Sequence, residues 1–247
     1  DSSLSVADLT GAIDQANTAT GGTSTVFSLN SGATINGGTA SDFTSLLANE
    51  TASQVSITDQ NLTVDSGTIS VANARAFSAA TTGTVTGTVT SGTTMAAMLD
   101  SSTGLAETGH ALTITIASGD AEATAANLTA LYGKTTVAVD ASSVTQITGT
   151  VAEANILYAA GASEITGLGN ETVVLTETGL NDGSAEGTVA TLNTLDNNTT
   201  GTINAGSITS MTGLLADFLT AYGSNGITGL DNENIVLTSF SMFSFSL

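Results

Sequence analysis

The chain has 247 residues, and its 22 acidic side chains against two basic ones, Arg75 and Lys134, give a formal net charge of −20. Hydrophobic residues make up 40% and the mean hydropathy is +0.27, which indicates a folded chain, because disordered chains combine high net charge with low hydrophobicity. The scarcity of Lys and Arg argues against nucleic acid and anionic membrane surfaces as partners, and the absence of cysteine excludes disulfides and thiol chemistry.

Four kinds of segment alternate along the first half of the chain: a helix candidate, an apolar strand, a second helix candidate and a second strand. Near the start these segments are VADLTGAID (6–14), STVFSLN (24–30), SDFTSLLA (41–48) and QVSIT (54–58). The next set comprises a helix followed by a strand in 71–92, then MAAML (95–99) and ALTITIA (111–117).

The second half repeats this order twice. The helix candidates are 125–133 and 189–197, followed by 150–159 and 214–222; the strands are 136–147 and 202–211, followed by TVVLTE (172–177) and NIVLTS (234–239). ITGLGNETVVLT (165–176) recurs as ITGLDNENIVLT (227–238). Leu128 and Leu131 match Leu192 and Leu195 at the i, i+3 spacing of one helix face.

The repeat has a nearly constant period. Ile203 follows Val139 by 64 residues, and the second ITGL follows the first by 62 residues. We predict one repeat domain over 1–238, with four units of roughly 60 residues at about 1–66, 67–121, 122–184 and 185–238. Thr150, three residues before Glu153, predicts a capping box at one of its helices.

Strands that share a sheet and are separated by helices run parallel, and their crossovers are almost always right-handed. The sequence therefore predicts a right-handed α/β solenoid, with parallel strands, short helices and two strand–helix coils in each repeat. A mainly β fold is the alternative: a β-solenoid in which the helix candidates are loops or corners.

The last nine residues, SFSMFSFSL (239–247), depart from the repeat. They carry a dense apolar set among hydroxyl side chains: Phe240, Met242, Phe243, Phe245 and Leu247. Three interpretations stay open, namely a strand that caps the core, a donor strand inserted into a neighbouring subunit, and a secretion signal. No apolar run reaches the ~18–20 residues of a membrane helix. Because the first residue is Asp1 and no signal peptide follows, we expect a processed product, a fragment, or cargo of a machine that reads a C-terminal signal.

Few residues suggest chemistry. His110 is the only histidine, and no Gly-x-Ser-x-Gly elbow accompanies it, so we expect a solvated or locally hydrogen-bonded side chain rather than a catalytic base. Oxygen-rich turns predict calcium binding, since calcium prefers carboxylate and amide ligands. The candidate ligands are Asp182, Asp196, Asp231 and Glu233. The alternative is turn chemistry, because Asp, Asn and Gly favour tight corners for backbone reasons.

The segments VDASSVTQITGTVAEAN and GITGLDNENIVLT resemble the repeats of very long bacterial surface proteins. The composition is also similar to that of S-layer proteins and RTX-associated adhesins, which are exported by type I secretion. This resemblance implies an extracellular structural or adhesive role, often assisted by calcium. It transfers no functional residue, because the RTX nonapeptide is missing.

We therefore expect a structural protein of the cell surface, not an enzyme, that assembles with itself into a layer, filament or matrix. Cell-surface polysaccharide is a further candidate partner. The alternatives are a binding module, such as an adhesin stalk or a viral fibre segment, and a carbohydrate-active enzyme with paired carboxylates.

Overall fold

The structure is a computed structural model that describes residues 3–21, 25–105, 108–180 and 188–238. The chain divides into two compact units. The first comprises Asp1–Ala117 with Leu131–Asp140, and the second comprises Ser118–Ala130 with Ala141–Leu247. Each unit combines helices with parallel sheets, which confirms the mixed α/β class. None of the helices within these described ranges is long and apolar enough to cross a bilayer.

The helices fall where the sequence pattern predicts them. They are α1 (Val6–Thr20), α2 (Ala40–Thr51), α3 (Val71–Ala80), α4 (Met95–Leu99), α5 (Ala125–Tyr132), α6 (Val151–Ala159), α7 (Val189–Asn198) and α8 (Leu215–Gly223). The slots that a β-solenoid would fill with loops or corners are therefore helical.

Hydroxyl side chains begin most of these helices. Ser5, Thr39, Ser70 and Thr94 each accept a hydrogen bond from the backbone N–H three residues further on. Such caps satisfy N–H groups that have no partner inside the helix.

The predicted capping box is present at α6. The Glu153 N–H donates to Thr150 Oγ1 at 3.1 Å, and the Thr150 N–H donates to Glu153 Oε2 at 2.9 Å. At α8 the corresponding position is Leu214, which provides no side-chain cap.

The strands are short. They are β1 (Ser3–Ser5), β2 (Phe27–Ser28), β3 (Thr34–Gly38), β4 (Val55–Ser56), β5 (Asn61–Val64), β6 (Val85–Thr88), β7 (Ala111–Thr113), β8 (Glu122–Thr124), β9 (Val139–Asp140), β10 (Gln146–Gly149), β11 (Ile165–Thr166), β12 (Thr172–Leu175), β13 (Gly179–Leu180), β14 (Ile203–Asn204), β15 (Ser210–Gly213), β16 (Ile227–Thr228) and β17 (Asn234–Leu237).

Two of the strand predictions need correction. The segments 136–147 and 202–211 were expected to be continuous strands, but each contains two short strands separated by a turn. The Val144 N–H donates to the Ala141 carbonyl at 2.9 Å, and the Ile208 N–H donates to the Ala205 carbonyl at 2.9 Å. Small and hydroxyl residues in ASSV and AGSI favour such a corner over an extended backbone. The ITGL segments, in turn, each begin with a short strand that the sequence pattern does not predict, β11 and β16.

Within each compact unit the strands of a sheet follow chain order. The first unit contains a parallel sheet of order β1-β3-β5-β6-β7 and the pair β2-β4. The second contains the parallel sheets β8-β10-β12-β14-β16 and β13-β15-β17. No later strand is inserted between two earlier ones in these sheets, so each new strand adds to the same growing edge.

Strand register aligns apolar side chains in rows. In the second unit one row is entirely buried; it consists of Ala123, Ile147, Val173, Ile203 and Ile227. The helices cover the inward face of the sheets, so Leu192 and Leu195 of α7 lie in the same core cluster as Val173. In the first unit Phe43 and Phe77 pack with ring centroids 5.8 Å apart.

Candidate functional site

The repeats seen in the sequence correspond to repeated contacts. We use the names third repeat for 122–184 and fourth repeat for 185–238. In the third repeat Ile147 pairs with Val173 between β10 and β12, and in the fourth repeat the matching residues Met211 and Ile235 pair between β15 and β17. All four residue pairs of the two strand ladders correspond at the same sequence offsets. The similar amino-acid sequences of the two repeats therefore form the same strand pairing twice.

The ITGL turn explains two of the shared glycines. Gly167 and Gly229 both adopt positive φ, at 83° and 84°. A Cβ atom on Gly167 would lie 2.6 Å from the Ser142 backbone nitrogen, and one on Gly229 would lie 2.7 Å from the Gly206 nitrogen. Both positions therefore require glycine for its backbone conformation and for the close approach of a second backbone segment.

A tyrosine and a glutamate lock the same turn. In the third repeat the Tyr158 hydroxyl donates to Glu171 Oε2 at 3.1 Å, and the Gly169 N–H donates to the same oxygen at 2.8 Å. Glu171 is only 2% exposed, so its carboxylate depends on these donors. Burial, together with the Glu171 charge, raises the pKa of Tyr158 well above its ordinary value. Sequence reasoning missed this pair, although both residues recur at the repeat offsets.

The fourth repeat keeps the pair in a more open setting. The Tyr222 hydroxyl donates to Glu233 Oε2 at 2.6 Å, and the Asp231 N–H donates to Glu233 Oε1 at 2.9 Å. Burial opposes the charged carboxylate, but the Tyr222 hydroxyl and the turn N–H groups outweigh it, so the pKa of Glu233 is lowered. Burial and the neighbouring Glu233 raise the pKa of Tyr222 to about 12.

We predict that Tyr222→Phe raises the pKa of Glu233 toward the ordinary glutamate value, because the carboxylate loses a donor. A lowered folded-state pKa adds stability above the unfolded-state pKa, and this contribution is lost as the pH falls through the folded-state value. The wild-type advantage over the variant should therefore be largest near neutral pH and shrink in acid. Carboxyl NMR titration and denaturation at several pH values measure both effects. Tyr132→Phe is the control, and an unchanged Glu233 titration in Tyr222→Phe would contradict the assignment.

The structure describes three of the four predicted calcium ligands; Asp182 lies outside the described residues. The turn before β17 brings Asp231 and Glu233 together, whereas Asp196 Oδ2 accepts a hydrogen bond from the Ser224 hydroxyl at 2.7 Å. Among the described residues no three His, Cys, Asp or Glu side chains are grouped to hold a metal ion. Glu233 closes the turn before β17 and Asp196 binds the Ser224 hydroxyl, and calcium binding remains a prediction.

His110 lies in the first compact unit and is buried. Its Nδ1 accepts a hydrogen bond from the Val85 N–H at 3.0 Å, so the side chain is hydrogen-bonded and the solvated alternative is wrong. The partner lies 25 residues away in the chain, so the expected local hydrogen bond is replaced by a tertiary one. His110 lines a cavity of about 660 Å³ together with several hydroxyl side chains. Two of these hydroxyls donate to backbone carbonyls: Thr81 to Gln60 at 2.6 Å and Ser78 to Ala74 at 2.8 Å.

The last described helix and strand, α8 and β17, and the residue before α8 expose large apolar side chains. We call this set the terminal apolar surface; it consists of Leu214, Leu215, Leu219, Tyr222, Ile235 and Val236. Leu215 is 55% exposed and Ile235 is 45% exposed, whereas the matching Val151 and Val173 of the third repeat are 0% exposed. In the third repeat β12 pairs with β10 and with β14, whereas in the fourth repeat β17 pairs with β15 alone among the described residues.

The predicted assembly residues of the C-terminal segment lie outside the described residues. They are Phe240, Met242, Phe243, Phe245 and Leu247. The terminal apolar surface was not predicted from the sequence, although its residues directly precede that segment.

Comparison with known proteins found no matching family model, no matching curated protein and no matching solved structure. The functional inference therefore depends on the residues and contacts of this chain.

Proposed function

We propose that the protein is a structural repeat protein that assembles with copies of itself into an extracellular layer, filament or matrix. The observation that carries the proposal is the repeated contact set, in which the strand register, the glycine turn and the Tyr–Glu pair recur between the third and fourth repeats. A fold built from interchangeable layers suits a building element, because every layer presents similar surfaces to its neighbours.

The finer fold within this proposal is a right-handed α/β solenoid. Parallel strands in chain order support it, because a chain that always adds to one edge of a sheet advances along one axis. Each of the four proposed repeats contains two helices, which matches two strand–helix coils in each repeat.

Close approaches between successive coils support the same fold. Gly149, at the end of β10, leaves room for Ala125, the first residue of α5; a Cβ atom there would lie 3.2 Å from the Ala125 Cβ. Gly213, at the end of β15, leaves room in the same way for Val189, the first residue of α7.

The extracellular location rests on composition. Strong acidity and the absence of cysteine are features shared with exported bacterial surface proteins, which this chain resembles. A net charge of −20 repels like copies, so divalent cations at carboxylate-rich turns would assist assembly. Calcium is the proposed cation, with Asp231 and Glu233 as candidate ligands.

Negative-stain electron microscopy of the full chain tests the proposed function. Fibres, sheets or regular clusters are the expected images. Single particles of constant size over a wide range of protein concentration, with and without calcium, would contradict self-assembly. The role of cations is tested in the same samples: EDTA should disperse the assemblies and calcium should restore them, whereas assemblies unchanged by EDTA would contradict that part of the proposal.

A further inference from the structure

We infer that the terminal apolar surface binds the same surface of a second copy of this chain, so that the two β17 strands pair across a two-fold axis. This inference rests on the proposed function, since it identifies one contact of the proposed assembly. Three observations support it, and the charge of the same surface predicts a salt dependence.

The first feature is continuity with an interface already present inside the chain. In the third repeat β12 pairs with β10 on one edge and with β14 on the other, so Val173 has strand partners on both sides. In the fourth repeat the matching Ile235 pairs with Met211 on one side alone among the described residues. A partner strand at the open edge would extend an existing sheet and bury the row to which Ile235 belongs.

The second feature is the helix beside that strand. Between α6 and α7 the Asn155 Nδ2 donates to the Thr191 carbonyl at 3.0 Å, so α6 is covered by the next helix. In α8 the position of Asn155 is taken by Leu219, which is 69% exposed. A leucine at the outer helix face, where the inner helix carries an amide, favours an apolar partner.

The third feature decides which surface of the partner molecule fits. Before residue 137, Val26 is the only large apolar side chain among the described residues that is well exposed. The described part of the first compact unit therefore offers two well-exposed large apolar side chains, Val26 and Val137, whereas the terminal apolar surface of a second copy offers six. A like-to-like contact is isologous and closes as a dimer. The two-fold axis makes the paired edge strands antiparallel.

Charge opposes the contact and therefore predicts how it depends on salt. Asp217, Asp231 and Glu233 belong to the same coil as the terminal apolar surface, so two facing copies bring like charges together. Salt screens such repulsion and leaves apolar burial unaffected. Association through this surface should therefore strengthen as the ionic strength rises.

Cysteine cross-linking of the full chain tests the pairing directly, because the chain has no cysteine of its own. Single variants are made along β17, from Asn234→Cys to Leu237→Cys, with exposed Ser101→Cys as the control. Across a two-fold axis a residue at or next to the axis faces its own copy, within the short Cβ–Cβ distance that a disulfide needs. We expect rapid disulfide dimers from at least one β17 position and slow ones from Ser101→Cys. Equal, slow rates at all positions would overturn the inference.

Sedimentation velocity with Leu219→Asp gives an independent readout. Leu219 is largely exposed, so the variant should fold, and circular dichroism checks this. We expect the self-association constant to fall by about tenfold or more. The matched control is Ile156→Asp, an exposed apolar position on α6 outside the terminal apolar surface, which should associate like the wild type. Association unchanged by Leu219→Asp would overturn the inference.

The outcomes separate this inference from the proposed function. Assemblies that persist in Leu219→Asp retain the proposed function and reject this contact. Dimers linked through β17, with no larger species, support this contact and contradict the proposed layer or filament. Residues 239–247 of the same chain are the other candidate for covering the terminal apolar surface. If the full chain is monomeric and only a chain shortened to 1–238 forms the β17 dimer, the chain covers its own surface and the inference is wrong.

Discussion

Gly167→Ala is expected to lower the free energy of unfolding by at least about 2 kcal/mol, since a non-glycine residue in a disfavoured backbone conformation costs roughly 1–3 kcal/mol on its own. The new methyl group adds a steric cost. Its Cβ would lie 2.6 Å from the backbone nitrogen and 2.7 Å from the Cα of Ser142, and backbone cannot move aside as a flexible side chain can. Urea denaturation followed by circular dichroism measures the change.

The chain supplies matched controls for this prediction. Gly229→Ala should be similarly costly, because Gly229 has the same φ and approaches Gly206 in the same way. Gly11→Ala should behave oppositely: Gly11 lies inside α1, a Cβ atom there would meet no atom within 4 Å, and alanine favours a helix over glycine by about 0.5–1 kcal/mol. If Gly167→Ala were as stable as the wild type, the glycine turn would not be a structural requirement of the repeat.

Leu192→Ala is expected to cost about 2–5 kcal/mol, the range for removing a buried leucine side chain and leaving a cavity. Leu192 is fully buried on α7 and belongs to the core cluster that includes Val173 and Ile203. The side chain therefore lies in one core cluster with residues of the neighbouring strands β12 and β14. Thermal and urea unfolding of the variant measure the loss.

The control for Leu192→Ala is Ile156→Ala on the neighbouring helix α6. Ile156 is 55% exposed, so its truncation should change stability by no more than about 0.5 kcal/mol. Equal effects of the two substitutions would show that the core is not closed around α7. Leu128, which occupies the matching position in the third repeat and is also buried, should respond like Leu192.

The sequence predicts the helices well because their signals are local. Leu192 and Leu195 mark one apolar face three residues apart, and both side chains are buried. Thr150 and Glu153 form the predicted capping box through contacts within one helical turn. The recurrence of ITGL also indicates a repeated turn, which Gly167 and Gly229 form with nearly identical φ.

Strand boundaries and sheet membership are less accessible from the sequence. The segment 136–147 is rich in β-branched residues on both sides of 140–143, yet the turn at 141–144 divides it, and strand pairing depends on neighbours distant in the chain. Because β10 and β15 occupy matching positions of the two repeats, the sequence also predicts equivalent strand neighbours for them. In the structure β10 belongs to the sheet of β8 and β12, whereas β15 pairs with β13 and β17.

In the candidate site, too, some contacts can be predicted from the sequence and others depend on tertiary structure. Asp196, Asp231 and Glu233 are recognisable in the sequence as carboxylates in oxygen-rich turns. The Asp196–Ser224 contact joins residues 28 positions apart and no local pattern reveals it, whereas Glu233 accepts from the Asp231 N–H within one turn. The Tyr222–Glu233 pair could have been found from the sequence, since both residues keep the repeat offsets to Tyr158 and Glu171. Composition likewise provides the acidity and the absence of cysteine that favour an exported structural protein.

The amino-acid sequence by itself determined the helix positions, the capping box at α6 and the recurring turn, because each depends on residues close together in the chain. Only the tertiary structure decided which strands pair and which apolar side chains remain exposed. Val173 and Ile235 are equivalent in sequence, yet the first is buried and the second is 45% exposed. Val173 has strand partners on both sides, whereas Ile235 has one among the described residues, so burial is set by contacts between segments distant in the chain rather than by the residue.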